Sequence, residues 1–174
     1  YRETDRLGGH DPYSASKGCA ELLTSSWRRS FMEKEGILLA SARAGNVIGG
    51  GDWASDRLMP DIFKSANKME KVKIRNPFST RPWQHVLEPL GAYLLLGQKL
   101  LEGKTEFAEG WNFGPDDEDS KTVETVLKET KIHWNAIGFE IEKVENQPHE
   151  AGLLKLNIEK SKQILGWKPI WHFS

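Results

Sequence analysis

A phenol and an ammonium, on Tyr13 and Lys17, stand four residues apart where the sequence predicts the start of a helix. A spacing of four places both side chains on one helical face, roughly 6 Å apart along the axis. A positive charge at that distance favours the phenolate, which would make Tyr13 a usable acid/base near neutral pH. Tyrosine and lysine occur at this spacing by chance in many helices, so the pair alone is a weak indication of catalysis.

The elements around this pair predict a helix set against a sheet. The helix should run over residues 12–35, because Asp11 can cap its first turn and Gly36 supplies a stop. Its apolar residues recur with a helical period, so we expect the apolar face to dock on the sheet. Residues 37–43 then form an almost continuous apolar run, which is typical of a central parallel strand covered on both faces.

Two further segments carry residues that could bind a ligand of such a sheet. Residues 44–53 leave the carboxyl end of the predicted strand with three successive glycines, and ligands of open α/β sheets bind at such ends. Arg81 stands close to Trp83 and His85, which puts a bidentate phosphate donor near an aromatic ring and an imidazole. Taken singly, these residues have ordinary explanations: core packing for Trp83, a buried imidazole for His85, and a solvated charge for Arg57.

Several ordered segments together resemble the extended short-chain dehydrogenase/reductases, and within them the branch of the CDP-glucose 4,6-dehydratases. The resemblance spans essentially all 174 residues, so it depends on much more than one tyrosine and one lysine. The segments that carry it are 11–18 (DPYSASKG), 49–58 (GGGDWASDRL), 81–90 (RPWQHVLEPL) and 165–169 (LGWKP).

The resemblance implies a role for particular residues. Tyr13 corresponds to the acid/base of the reaction, and Lys17 to its electrostatic partner, which also binds the ribose of the NAD cofactor. Contacts to a nucleotide-sugar substrate are implied for a further set of residues, namely Asn46, Arg57, Arg81, His85 and His149.

The implied fold is α/β: the C-terminal portion of an NAD-binding Rossmann domain, a doubly wound parallel sheet, plus a smaller α/β substrate lobe. Residues 1–48 and 83–115 are predicted to form the later part of the Rossmann domain, and residues 49–82 and 116–174 the sugar-nucleotide-binding lobe interleaved with it. No G-x-G-x-x-G motif follows a strand here, so we expect the N-terminal part of the family, with its dinucleotide-phosphate site, to precede Tyr1.

The implied activity is that of an NAD-dependent nucleotide-sugar 4,6-dehydratase, a hydro-lyase that converts CDP-glucose to CDP-4-keto-6-deoxyglucose and water. Two alternatives stay open. One is a nucleotide-sugar epimerase of the same family, which shares the tyrosine and lysine; the other is a truncated protein that binds sugar nucleotides without turnover. The resemblance also implies that the complete enzyme is a homo-oligomer, a dimer or a tetramer.

Composition excludes several other classes of protein. The net charge is −1 and the basic residues are scattered, so neither nucleic acid nor a membrane is expected as a partner. No signal peptide opens the chain, and the single cysteine, Cys19, fits a reducing compartment, so we expect a cytoplasmic protein. His149-Glu150 invites a zinc site, but position 153 is leucine where a second histidine is needed, so no metal is expected.

Overall fold

Helices alternate with short strands along the chain, whose computed structural model describes residues 1–142 and 152–173. The α-helices are α1 (Pro12–Trp27), α2 (Leu58–Asn67), α3 (Leu87–Leu101) and α4 (Val123–His133). The strands are β1 (Ser41–Ala44), β2 (Asn46–Ile48), β3 (Lys71–Ile74), β4 (Thr80–Arg81), β5 (Trp83–His85), β6 (Gly110–Phe113), β7 (Lys121–Thr122) and β8 (Gly138–Ile141).

Most of the strand pairing is parallel. Strand β1 pairs with β6, β2 with β5 and β3 with β8, all in parallel, whereas β4 and β7 are antiparallel. Between β1 and β2 the backbone passes from one partner to the next: the Gly45 amide donates to Phe113 O (3.1 Å) and the Asn46 amide to Pro82 O (2.8 Å). A Cβ on Gly45 would lie 2.4 Å from Pro82 O, so this crossing requires glycine.

Two hydrophobic cores hold these elements together. The first joins β6 and α3 to the C-terminal residues 158–167, and its buried members are Ala92, Leu96, Phe107, Trp111, Phe113, Ile158, Leu165 and Trp167. The second joins α2, β3 and α4, and its buried members are Ile62, Ala66, Val72, Ile74, Leu127 and Ile137. Strand β6 was assigned to the Rossmann part and residues 158–167 to the substrate lobe, yet the two pack together in this core. The division into lobes stays a prediction.

The first helix begins and ends as predicted but changes type on the way. Asp11 caps α1, the α-helix gives way to a π-helical turn at Arg28–Met32 and a 3-10 turn at Glu33–Glu35, and Gly36 ends it with a φ of 69°. The prediction that its apolar face docks on the sheet is wrong, because that face is exposed to solvent. The exposed apolar residues are Leu22, Leu23, Trp27 and Phe31.

Other boundaries also differ from those predicted. The strand expected over residues 37–43 begins only at Ser41, and Ile37 and Ala42 are exposed, so the expected cover on both faces is only partial. In the described part of the chain, β1 pairs with a strand on one edge only. Helix α4 is capped by Thr122, whose hydroxyl accepts from the Thr125 amide at 3.2 Å.

Candidate active site

Tyr13 and Lys17 lie together on the first turns of α1, as their spacing predicts. The Asp11 carboxylate accepts from the Ser14 amide (2.9 Å) and hydroxyl (2.7 Å), and these hydrogen bonds lower the pKa of Asp11. Tyr13 is 72% exposed. The Lys17 ammonium lies 5.4 Å from the centre of its ring. The phenol is therefore accessible to a ligand and has a cation beside it.

A second charged residue lies on this face of α1, Glu21, for which the sequence alone predicted no role. One oxygen of its carboxylate accepts from the Ser41 hydroxyl (2.8 Å) and from Nη2 of Arg43 (2.7 Å), both on β1. Burial alone would raise the pKa of Glu21, but the hydrogen bonds from Arg43 and Ser41 and the nearby positive charges hold it below its usual range. The available signal was its position, four residues after Lys17.

Three of the predicted substrate residues, Asn46, Arg81 and His85, lie on strands β2, β4 and β5. Asn46 on β2 is opposite Trp83 on β5, and Arg81 and His85 flank Trp83 by two residues on either side. Arg81 is buried, and its Nη1 donates to Thr80 O at 3.0 Å. His85 is exposed at the carboxyl end of β5, and its Nδ1 accepts from the Leu87 amide. The structure thus brings Asn46 and His85 to one pair of strands, whereas Arg81 ends β4, which pairs with β7.

Arg57 lies apart from those strands, at the end of the glycine-rich loop. Its guanidinium is exposed and pairs with Asp52 at 3.3 Å. The same Asp52 accepts from the Ala54 amide, and the Lys64 ammonium donates to Trp53 O at 2.6 Å, so the loop is braced on both sides. The fifth predicted substrate residue, His149, lies outside the described residues.

The C-terminal segment 170–173 runs across the end of β5. Buried Glu88 accepts from the amides of Ile170 (3.0 Å) and Trp171 (2.8 Å), and the Trp171 ring packs edge-on against His85 with centroids 4.5 Å apart. Asp119 pairs with Nδ1 of His172 at 2.9 Å. Two carboxylates therefore hold this segment beside one of the predicted substrate residues.

We expect the attachment of segment 170–173 to weaken as pH rises. Its hydrogen bond to Asp119, together with the charge of that carboxylate, raises the pKa of His172 above its usual 6.5. Because the folded state has the higher pKa, this stabilisation is complete below the unfolded pKa and is lost as pH rises through the folded value. Amide exchange of residues 171–173, corrected for intrinsic rates, should therefore speed up a few-fold above neutral pH.

The matching variant for that experiment is His172→Gln, which should remove the pH dependence. His133→Gln serves as its control, because His133 makes an exposed pair with Glu129 on α4, away from the segment. Exchange at residues 171–173 that follows the same pH profile in His172→Gln as in the parent would show that the pair does not hold the segment.

Among residues 1–142 and 152–173, no cluster of three histidine, cysteine, aspartate or glutamate side chains is placed to hold a metal ion. No helix in those ranges is long and apolar enough to span a bilayer.

Sequence similarity decides the family. The family model described as GDP-mannose 4,6 dehydratase matches residues 1–174. The chain belongs to this family. It is 53% identical to the CDP-glucose 4,6-dehydratase of Salmonella typhimurium, over 98% of this chain and 49% of that protein. The resemblance to the CDP-glucose branch is thus confirmed. The chain spans about half the length of the curated relatives it matches.

Solved structures agree on the fold. The dTDP-glucose 4,6-dehydratase of Bacillus anthracis, in complex with NAD, gives a TM-score of 0.79 at 20% identity, over 99% of this chain and 51% of that one. The UDP-glucose-4-epimerase of Stenotrophomonas maltophila gives 0.77 at 16% identity, over 99% and 54%. This member of the GDP-mannose 4,6 dehydratase family therefore has their Rossmann-type α/β fold, as predicted.

Proposed function

We propose that the full-length protein carrying this chain is an NAD-dependent nucleotide-sugar 4,6-dehydratase that converts CDP-glucose to CDP-4-keto-6-deoxyglucose and water. The observation that carries the proposal is the 53% identity, over 98% of the chain, to the Salmonella CDP-glucose 4,6-dehydratase. The accessible pair of Tyr13 and Lys17 supports it, because dehydration at C5 and C6 has to begin by removing a proton from the sugar 4-hydroxyl.

Tyr13 is assigned the acid/base role and Lys17 the role of its electrostatic partner. Tyr13 takes the proton of the 4-hydroxyl as the general base, and the Lys17 ammonium lies 5.4 Å from the centre of its ring. Together with the oxidation at C4 that NAD would supply, this proton transfer gives a 4-ketone, which acidifies the C5 proton so that water can leave across C5 and C6. In an epimerase the 4-ketone is reduced again, and Tyr13 then returns its proton to the oxygen at C4. The same pair of Tyr13 and Lys17 can therefore serve both a dehydratase and an epimerase.

The cofactor NAD fits the donors on the first turns of α1. Tyr13 and Lys17 are exposed on one face and offer a hydroxyl and an ammonium, which suit the hydroxyls of a ribose. When bound, NAD supplies the oxidation at C4 and the later reduction at C6, so the reaction has no net redox change. No G-x-G-x-x-G motif follows a strand in this chain, so its own share of the cofactor site is Tyr13 and Lys17.

The substrate contacts are assigned to the strands and loop already described. Arg57 and Arg81 supply guanidinium groups for the diphosphate, and a guanidinium can bind phosphate oxygens in a bidentate manner. Asn46 and His85 lie on the paired strands β2 and β5 and are assigned to the sugar nucleotide. His149 is assigned to the same substrate from the sequence alone.

We also propose that the full-length protein is a cytoplasmic homo-oligomer, a dimer or a tetramer. The exposed apolar face of α1, with Leu22, Leu23, Trp27 and Phe31, supports association, since surfaces of this kind are commonly covered by a partner. The single cysteine, Cys19, is consistent with a reducing compartment. Mass photometry of the full-length protein would give the number of subunits directly.

A nucleotide competition tests the substrate. CDP-glucose should give 4-keto-6-deoxy product with a kcat/KM at least about 10-fold above dTDP-glucose or GDP-mannose, because a mismatched base leaves buried polar groups unpaired. The assay follows the 4-keto product of the full-length protein with each substrate. Equal or better turnover of a rival nucleotide would contradict the cytidine assignment while leaving the roles of Tyr13 and Lys17 intact.

A nucleotide-sugar epimerase is the second candidate, because the Stenotrophomonas epimerase shares the fold at a TM-score of 0.77. The same assay separates the two, since an epimerase returns a hexose inverted at C4 and releases no 4-keto-6-deoxy sugar. Binding of CDP-glucose without any product would instead favour the third possibility, a sugar-nucleotide-binding protein without turnover.

A further inference from the structure

Helix α1 carries the proposed acid/base pair, yet apolar packing does little to fix its position. None of its residues belongs to either hydrophobic core of the described chain. Its one buried residue is Gly18, where an added Cβ would lie 2.6 Å from the Gly8 amide nitrogen. Within the described chain, contacts other than apolar burial therefore set where Tyr13 and Lys17 stand relative to the sheet.

Polar contacts to β1 supply that attachment. Glu21 accepts from the Ser41 hydroxyl at 2.8 Å and from Arg43 Nη2 at 2.7 Å, and we call these three residues the Glu21 clamp. A second tie lies further along the helical run, where Nη1 of Arg28 donates to Leu39 O at 3.3 Å. Both ties join the helix to the segment that leads into or forms β1, the strand that ends beside the glycine-rich loop.

The Glu21 clamp is close enough to the proposed catalytic pair to control it. Glu21 follows Lys17 by four residues and Tyr13 by eight, so the three side chains lie along one side of α1, with Glu21 about 12 Å from Tyr13 along the axis. A helix of this length moves as a unit, so a shift of Glu21 against Arg43 is transmitted to the phenol.

We propose that Glu21 is a positioning residue for the acid/base step, holding the helix of Tyr13 and Lys17 in register on β1 through Arg43 and Ser41. This inference rests on the proposed function. Glu21 does not touch the reacting atoms; it acts through the position of α1.

Arg43 has no ready replacement for the Glu21 carboxylate. The Arg43 and Glu21 side chains are only 23% and 19% exposed, so water replaces their contact poorly. The Nε of Arg43 is buried and has no hydrogen-bond partner in the described chain, so the contact through Nη2 is the main one that holds this guanidinium. Without that carboxylate the guanidinium is left uncompensated, and of the two ties described above the helix keeps only that of Arg28 to Leu39 O.

The kinetic test compares Glu21→Gln with Glu33→Gln in the full-length protein. Glu33 lies on the same helical run, is exposed and belongs to neither the site nor the clamp, so its variant controls for the loss of one carboxylate. Glu21→Gln should lower the single-turnover rate of sugar oxidation by about 10- to 100-fold, the scale of a displacement near 1 Å, with KM for CDP-glucose within about threefold. Arg43→Lys, which keeps a cation, should retain more activity than Arg43→Met.

A second readout keeps the inference separate from the proposed function. Amides of residues 15–21 in Glu21→Gln should exchange about 10-fold faster than in the parent and in Glu33→Gln, whether or not the protein turns over CDP-glucose. Unchanged exchange would overturn the clamp. Faster exchange with a parental oxidation rate would show that Glu21 serves stability only and would overturn its positioning role. A parent that forms no product refutes the proposed function and, with it, the acid/base part of this inference, whatever the exchange data show.

Discussion

Replacing Tyr13 by phenylalanine is expected to slow sugar oxidation in the full-length protein by at least about 100-fold, the usual scale for the loss of a positioned acid/base. The ring stays in place and only the hydroxyl is lost, so the affinity for CDP-glucose should remain nearly unchanged. Tyr13 is 72% exposed and packs in neither core, so the substitution should leave the stability of the fold unaltered.

Single-turnover formation of NADH, measured at saturating CDP-glucose, decides this prediction. Tyr93→Phe is the matched control: it removes a phenolic hydroxyl from α3, where the ring of Tyr93 packs edge-on against Phe113 with centroids 5.8 Å apart. Oxidation by Tyr93→Phe should proceed at the parental rate. A Tyr13→Phe variant as fast as this control would end the assignment of Tyr13 as the acid/base.

The second large effect concerns the first hydrophobic core, where Phe113→Ala should lower the free energy of unfolding by about 3 to 5 kcal/mol. Phe113 is fully buried at the end of β6, and its ring meets that of Trp167 edge-on with centroids 5.2 Å apart. The substitution leaves a cavity between β6, α3 and the C-terminal residues, and three elements cannot all close it at once.

Urea denaturation of the full-length protein measures this loss, provided that the variant keeps the parental dependence of free energy on urea. Phe78→Ala controls for the removal of a phenyl group, because Phe78 is 76% exposed and should change stability by no more than about 0.5 kcal/mol. Equal midpoints for the two variants would mean that the packing around Phe113 contributes little.

Local signals in the sequence were sufficient for part of this molecule. The start of α1 at Asp11 and its stop at Gly36 follow from a cap and a left-handed glycine, each decided by a few neighbouring residues. Tyr13 and Lys17 come together for the same reason, since a spacing of four fixes their relation on any helix. The same holds for β3, where apolar and basic residues alternate in the sequence, and Val72 and Ile74 are buried while Lys71 and Lys73 are exposed.

Features that depend on distant residues were missed or misread. The period of α1 showed that the helix has an apolar face but not what covers it, and Leu22 and Trp27 are in fact exposed. The contact between Glu21 and Arg43 joins residues 22 apart, and nothing local marks either as the partner of the other. The register that sets Asn46 opposite Trp83 is also a property of paired strands. Such relations become visible only once the chain is folded.

Gly110, the first residue of β6, lies next to the Glu21 clamp on the neighbouring strand. A Cβ at this position would lie 3.0 Å from Nη2 of Arg43, the nitrogen that binds Glu21. The long Arg43 side chain can make room for a methyl group. In a mutational scan, Gly110→Ala should therefore change the abundance of the protein very little. The guanidinium has to give by a few tenths of an ångström, and Glu21 binds the same nitrogen. We therefore expect Gly110→Ala to lower activity more than abundance, as a change at Tyr13, 97 residues away, should also do.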